Sequence, residues 1–224
     1  MEKTVTVLPE GGQALVADER LFSTPTWPMR TVEIRGDGSR AVVRPVLPAD
    51  AAAIADLVRG LSDRSAYLRF HSPIHALSAA QLAGVLDVDH RERETLVAVV
   101  PGRRGRLRGD GPPRLVGFGQ YVATGPTEVE VALLVADEWQ GRRLGRGLAE
   151  ALVAAAASEG YATFRASILA ENRAALGLMR SLGFATEGMS AGSVLELVHT
   201  LRGPAEPAVA DPTETSPAVR AAAG

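Results

Sequence analysis

Two groups of side chains in this 224-residue chain have the types and spacing that chemistry needs. The first is Gln140-Gly141-Arg142-Arg143-Leu144-Gly145-Arg146-Gly147. Glycines let a backbone approach a ligand closely, and arginines present planar forks of donors suited to phosphate. When such a turn leads from an apolar strand straight into a helix, the first amides of the helix and its positive end face whatever lies beyond the strand, which makes an anion site. The spacing fits neither the phosphate-loop nor the dinucleotide glycine pattern, and a solvated helix cap is the plainer alternative for this stretch taken alone. The second group is Glu128 and Glu130. On a strand they lie one period apart and share a face, so one carboxylate can stand over a cleft as a base, or both can be solvated strand residues.

The elements that must position these residues are legible. Glu128 to Val135 (EVEVALLV) begins in strict alternation and ends in a continuous apolar run, as expected for a central strand covered on both faces toward its end. It runs through the Gly/Arg turn into a helix that carries Leu148, Leu152 and Val153 and closes at Gly160. A strand from Thr163 to Leu169 then leads through Glu171 and Asn172 to a helix bearing Leu176, Met179 and Leu182, which Gly183 stops. Upstream, a strand at 41–46 precedes Pro48, and Asp50 is placed to cap a helix with Ile54, Leu57, Val58 and Leu61 on one side. Ser78 and Gln81 form a capping box for a short helix. Strands at 95–100 and 115–122 flank a Gly/Pro/Arg segment read as a long hairpin tip, and 193–201 reads as a closing strand. Strands and helices in this order imply an α/β fold, more narrowly α+β, with helices packed on one mixed sheet. Residues 1–37 are read as a partly ordered N-terminal extension, 38–202 as the domain, and 203–224, rich in Pro, Ala and small polar residues, as a disordered tail.

Composition narrows the function. Apolar residues make up 46% of the chain and charged residues 22%, a globular balance. The 24 basic and 26 acidic residues give a net charge of −2, with no global field for a polyanion, so nucleic acid is not an expected partner. There is no cysteine, hence no disulfide and no thiol nucleophile. His71, His75, His90 and His199 are scattered without partners at ligand spacing, so no metal is expected. The opening MEKTVTVLPEGG lacks the apolar core of a signal peptide and no apolar run is long enough to span a membrane, so the expectation is a cytoplasmic protein without a membrane partner. Lys3 is the only lysine.

The stretch from Val131 to Ala151 resembles the acyl-CoA signature of the GNAT N-acetyltransferase superfamily, Gln/Arg-x-x-Gly-x-Gly/Ala after an apolar strand ending in Val. Gln140 and Gly145 match its first and last positions, and Arg143 stands where glycine is usual; a shifted register from Arg142 to Gly147 also satisfies the pattern. A second match is Ala170-Glu171-Asn172-Arg173 followed by Ser181-Leu182-Gly183-Phe184. A third, Leu61 to Phe70 together with Val88-Asp89-His90, is similar to the GNAT domain of bacterial protein lysine acetyltransferases that modify acyl-CoA synthetases. The similarity covers about residues 40 to 201.

The resemblance implies the GNAT fold, a mixed, mostly antiparallel sheet of six to seven strands flanked by about four helices. It implies acetyl-CoA as cosubstrate, with no metal, held by Leu133, Val135, Gln140, Gly141, Arg142, Arg143, Leu144, Gly145, Arg146 and Asn172. Asn172 reads equally well as an ordinary helix N-cap. A local opening of the sheet would free backbone groups, the Leu133 N–H among them, for the pantetheine arm and the thioester oxygen. Glu130, five residues before the last Val of its strand, takes the place of the family's general base, with Glu128 as the alternative; between Val129, Val131 and Leu133 it should be partly desolvated. Tyr67, Arg69 and Phe70 are expected at the acceptor entrance. Met179 stands where many members carry a tyrosine acid. The expected reaction is N-acetylation of a protein lysine, an acyl-CoA synthetase being one such acceptor, by a monomer or homodimer. A small-molecule amine as acceptor, or a non-catalytic acyl-CoA sensor, are the other readings.

Overall fold

The computed structural model describes residues 30–34, 40–72, 74–104, 107–189 and 192–201. Nearly all of the N-terminal extension and the whole 203–224 tail lie outside the described residues. Eight strands are described: β1 (Arg30–Glu33), β2 (Arg40–Pro45), β3 (Arg93–Arg104), β4 (Leu107–Ala123), β5 (Glu128–Val135), β6 (Thr163–Leu169), β7 (Ala185–Met189) and β8 (Val194–Thr200). Five α-helices join them: α1 (Ala51–Arg59), α2 (Asp63–Phe70), α3 (Ala79–Leu86), α4 (Leu144–Ser158) and α5 (Arg173–Ser181). The sheet order is β1-β2-β3-β4-β5-β6-β8-β7, and every neighbouring pair is antiparallel except β5 with β6.

This is the mixed, mostly antiparallel sheet expected, with more strands than the six to seven anticipated and five helices in place of four. The additions are weakly patterned segments. β7 is exposed at every position, so no alternation marks it. α2 buries only Ala66; it is set by its ends, where Ser62 caps the Ser65 N–H and His71 at φ 54° turns the chain out. β1 lies within the segment assigned to the extension and pairs with β2, and Ile34 after it is 2% exposed. The hairpin between β3 and β4 runs further than read, pairing Gly102 with Gly111 and Arg104 with Leu107, with register shifts on the way. Asp50 does not cap α1 with its side chain; it accepts from Arg44 at 2.7 and 2.8 Å and from the Leu47 N–H at 2.8 Å.

Alternation along β5 divides the core into two layers. Val129 and Val131 face α4, where Leu148 and Leu152 meet Phe164 and Leu197; Leu134 faces the other way, toward Ile54, Val58 and Val85 from α1 and α3. α4 lies very close to the sheet because two glycines permit it. A Cβ on Gly119 would stand 2.7 Å from Leu152 Cδ1, and one on Gly147 would collide with the Val32 side chain of β1. The ion pairs described across this surface are all built from arginine or histidine.

Candidate active site

β5 and β6 are paired at only three positions, Glu128 with Thr163, Val129 with Phe164 and Glu130 with Arg165. Beyond Glu130 they have no paired residues, although β5 runs on to Val135 and β6 to Leu169. Which backbone groups this exposes follows from the other edge of β5. The Thr124 N–H donates to the Glu128 carbonyl and the Ala136 N–H to the Val116 carbonyl, each at 2.9 Å. With the unbroken register from Gly117–Val135 to Ala123–Val129, even-numbered residues bond to β4 and odd-numbered ones turn toward β6. The amides and carbonyls of Val131, Leu133 and Val135 therefore face the gap. The sheet opens without any register shift between β4 and β5.

The gap widens into a cleft of about 1240 Å³. α4 and α5 start on it, and α2 walls its other side. Of the residues singled out from sequence, Glu130, Leu133, Val135, Gln140, Gly141, Arg143, Gly145, Arg146, Asn172, Arg69 and Phe70 line it. Three do not. Leu144 is fully buried beneath α4, because the first helical position points at the core. Arg142 turns away, its guanidinium 5.3 Å from the Trp139 ring centroid. Tyr67 stands 40% exposed and does not line the cleft.

The turn into α4 has the backbone that an anion site needs. Gly141 lies at φ 69° and Arg143 at φ 70°, a left-handed conformation that is costly for a side-chain-bearing residue and explains why glycine suits that position. Arg143 is the N-cap and gives α4 no side-chain hydrogen bond. The first helical amides are thus left for an external acceptor. The Gln140 side chain is engaged within the chain: its Nε2 lies 3.1 Å from the Val135 carbonyl, 3.2 Å from Asp137 and 3.3 Å from Ser65 Oγ. Arg146 donates to the Ser181 carbonyl at 3.2 Å and approaches Glu150 at 3.4 Å, tying α4 to α5, while its buried Nη1 has no partner among the described residues. Asn172 caps α5, its Oδ1 accepting from the Ala175 N–H at 3.1 Å. Met179 is a core residue, 4% exposed, whose surface also reaches the cleft.

The two glutamates have different surroundings. Glu128 accepts from Arg165 Nε at 2.7 Å and Thr124 Oγ1 at 2.9 Å, and the Arg165 hydrogen bond holds its carboxyl below the ordinary range. Arg165 is shared with Glu187. Glu130 is exposed to the cleft rather than desolvated, because Val129, Val131 and Leu133 point to the opposite face of the strand. Ser167 Oγ stands 3.4 Å from Glu130 and 2.8 Å from Glu196. Arg69 faces Glu130 from α2: enclosure of its guanidinium lowers its pKa, the Glu130 charge opposes that, and burial prevails. Arg69 also lies 5.1 Å over the Phe70 ring, and its buried Nε has no partner among the described residues.

Sequence reasoning did not single out Ser65, Asp137 or Ser167. Ser65 lay inside the Leu61 to Phe70 motif; Ser167 was detectable only as a polar break in the apolar run TFRASIL. Among the described residues no group of three or more His, Asp or Glu could hold a metal ion.

Among the described residues the open mixed sheet splays at its one parallel pair, and an uncapped helix N-terminus stands at the splay. Residues 78–184 match the model of the acetyltransferase (GNAT) family. The chain is 30% identical over 154 residues to an acetyltransferase of Pseudomonas aeruginosa, covering 68% of this chain and 79% of that protein. It is 32% identical over 170 residues to the acetyltransferase Pat of Mycolicibacterium smegmatis, covering 75% of this chain but 47% of Pat, so it spans about half of that relative's length. The GNAT domain of S. lividans PAT superposes with a TM-score of 0.67 at 28% identity, over 78% of this chain and 99% of that one. The yncA protein of Salmonella typhimurium, solved with its cofactor acetyl-CoA, shares the fold at a TM-score of 0.54 and 20% identity, over 75% and 98% of the two chains. The chain belongs to the GNAT acetyltransferase family.

Proposed function

We propose that this protein transfers the acetyl group of acetyl-CoA to a primary amine, a protein lysine, by direct attack with Glu130 as general base. The observation that carries the reading is the unpaired stretch of β5 beyond Glu130: it sets a cleft-facing carboxylate beside exposed main-chain donors and leads to an uncapped helix that suits a diphosphate.

A protonated lysine has no lone pair, so the amine must lose a proton before or as it attacks. Glu130 takes that proton, directly or through one water. Glu128 is poorly suited, being spent on Arg165 and Thr124. The amine nitrogen bonds to the thioester carbon, the carbonyl oxygen gains charge beside the Leu133 N–H, and the C–S bond then breaks to release the thiolate of CoA. A thiol is acidic enough to leave without a dedicated acid, and Met179 offers none. With no cysteine in the chain, direct attack is simpler than an acyl-enzyme. A lysine acceptor is favoured by the resemblance of Leu61 to Phe70 and Val88-Asp89-His90 to the GNAT domain of bacterial protein lysine acetyltransferases.

The test is Glu130→Gln, assayed by mass shift on a panel of lysine-bearing proteins and small amines, with acetyl-CoA binding followed by calorimetry. Turnover should fall by about a hundredfold or more while the acetyl-CoA Kd holds within about twofold. Unchanged turnover removes Glu130 from the chemistry. Acetylation of small amines alone moves the acceptor class, and absence of any heat with acetyl-CoA removes the reading as a whole.

A further inference from the structure

Asp137 follows β5 in the 3-10 turn Asp137–Trp139, immediately before the Gly/Arg turn that starts α4. Its carboxylate reaches across the cleft wall. One oxygen accepts from the Ser62 backbone N–H at 2.8 Å and the other from the Ser65 hydroxyl, partners 75 and 72 residues distant in sequence. Gln140 Nε2 closes the cluster, within 3.3 Å of Ser65 Oγ and 3.2 Å of Asp137. Burial acts to raise the Asp137 carboxyl, but hydrogen bonds from Ser65, Ser62 and Gln140 outweigh it and hold the group below the ordinary range, as a firmly held carboxylate.

What this cluster holds is the first turn of α2. The apolar anchors of that helix are Ala66, its one fully buried residue, and Phe70 in the last turn, so the first turn is fixed through polar contacts. It is a rigid rod of eight residues, about 12 Å long, so the position of its first turn sets the position of its last. The last turn carries Arg69 and Phe70, which line the cleft facing Glu130, with the enclosed Arg69 Nε still unpartnered among the described residues. The polar cluster therefore joins the segment that leads into α4 to the helix that shapes the opposite side of the cleft.

We propose that Asp137 is a positioning residue for the acceptor: by fixing Ser62 and Ser65 to the turn before α4, it sets where Arg69 and Phe70 stand opposite Glu130. This rests on the assignment of α4's N-terminus to acetyl-CoA and of Glu130 to the amine. Asp137 borders the cleft, but both its carboxylate oxygens are taken up by Ser62 and Ser65, so it acts through α2. Occupancy of the cofactor turn by acetyl-CoA then steadies Gln140 and Asp137, and with them the acceptor wall.

The experiment combines hydrogen exchange on the full chain with kinetics. In the parent chain acetyl-CoA should slow exchange in α2; in Asp137→Ala, amides of 63–71 should exchange about tenfold faster or more, those of α4 should hold, and that slowing by acetyl-CoA should be lost. With the acceptor that gives turnover in the panel above, acceptor KM should rise about fivefold or more with the acetyl-CoA Kd within about twofold. Asp137→Asn, which keeps an accepting oxygen for Ser62, should recover most of both effects. Arg69→Met should raise acceptor KM by itself, and adding Asp137→Ala to it should cost much less than in the parent chain. Ser65→Ala, a milder cut, carries the same readouts if Asp137→Ala does not fold. Unchanged exchange across 63–71, a Kd that weakens as much as KM rises, or additive effects with Arg69→Met would each overturn the proposal. The exchange measurement in the free protein stands even where no acceptor or acetyl-CoA binding is found, so failure of the latch and failure of the enzymatic reading are told apart.

Discussion

Two helices begin at the same cleft, at the ends of the two strands that form the sheet's parallel pair, and they begin differently. α5 is closed by its own sequence: Asn172 takes the Ala175 amide. α4 is left open: Arg143 sits at φ 70° with no side-chain hydrogen bond to the helix, after a glycine that is also left-handed. Both arrangements satisfy the rule that the first amides of a helix need acceptors, but only the second leaves the acceptor to come from outside. A helix N-terminus at a cleft is therefore not in itself a binding site; the one whose cap is missing is the candidate.

The sharpest way to break this contrast is the same charge reversal at both helix starts. Arg143→Asp should weaken acetyl-CoA binding by about tenfold or more, about 1.4 kcal/mol, while Arg173→Asp changes it by less than about threefold. Calorimetry that finds equal losses would abolish the distinction. Asn172→Ala should have the opposite profile, destabilising the fold by about 1 kcal/mol in urea titration with the acetyl-CoA Kd within about twofold; a large loss of affinity would make Asn172 a ligand as well as a cap. The smallest effect is expected for Arg143→Gly, which relieves the left-handed strain and should stabilise the protein by about 0.5 kcal/mol, with whatever affinity it loses measuring the Arg143 side chain alone.

How much of this was legible in sequence depended on how strongly each segment is patterned. EVEVALLV, the α4 and α5 helices with their glycine stops, and the Ser78–Gln81 capping box are local signals, and the structure carries each of them. β7 and α2 carry almost no buried side chains, so periodicity had nothing to report; tertiary contacts hold them. At the site, spacing brought Glu130, Gln140, Gly145 and Asn172 to one cleft, but orientation was beyond it. Leu144 and Arg142 sit in the same motif and point elsewhere, because a turn and the first position of a helix aim successive side chains in different directions. The division of labour between Glu128 and Glu130 depended on Arg165, a residue of another strand that no local pattern connects to either. Asp137 was hidden for the same reason, its partners lying more than 70 residues away.

The arginine-built surface has a chemical consequence. An enzyme that adds acetyl groups to ε-amines works at high local concentration on itself, and a guanidinium, protonated at any physiological pH, is a very poor nucleophile. From Arg30 to Leu201 this chain offers no ε-amine at all. Residues 30–201 are chemically silent toward the reaction proposed for this chain, and a lysine mark found on the 224-residue chain itself could fall on Lys3 alone.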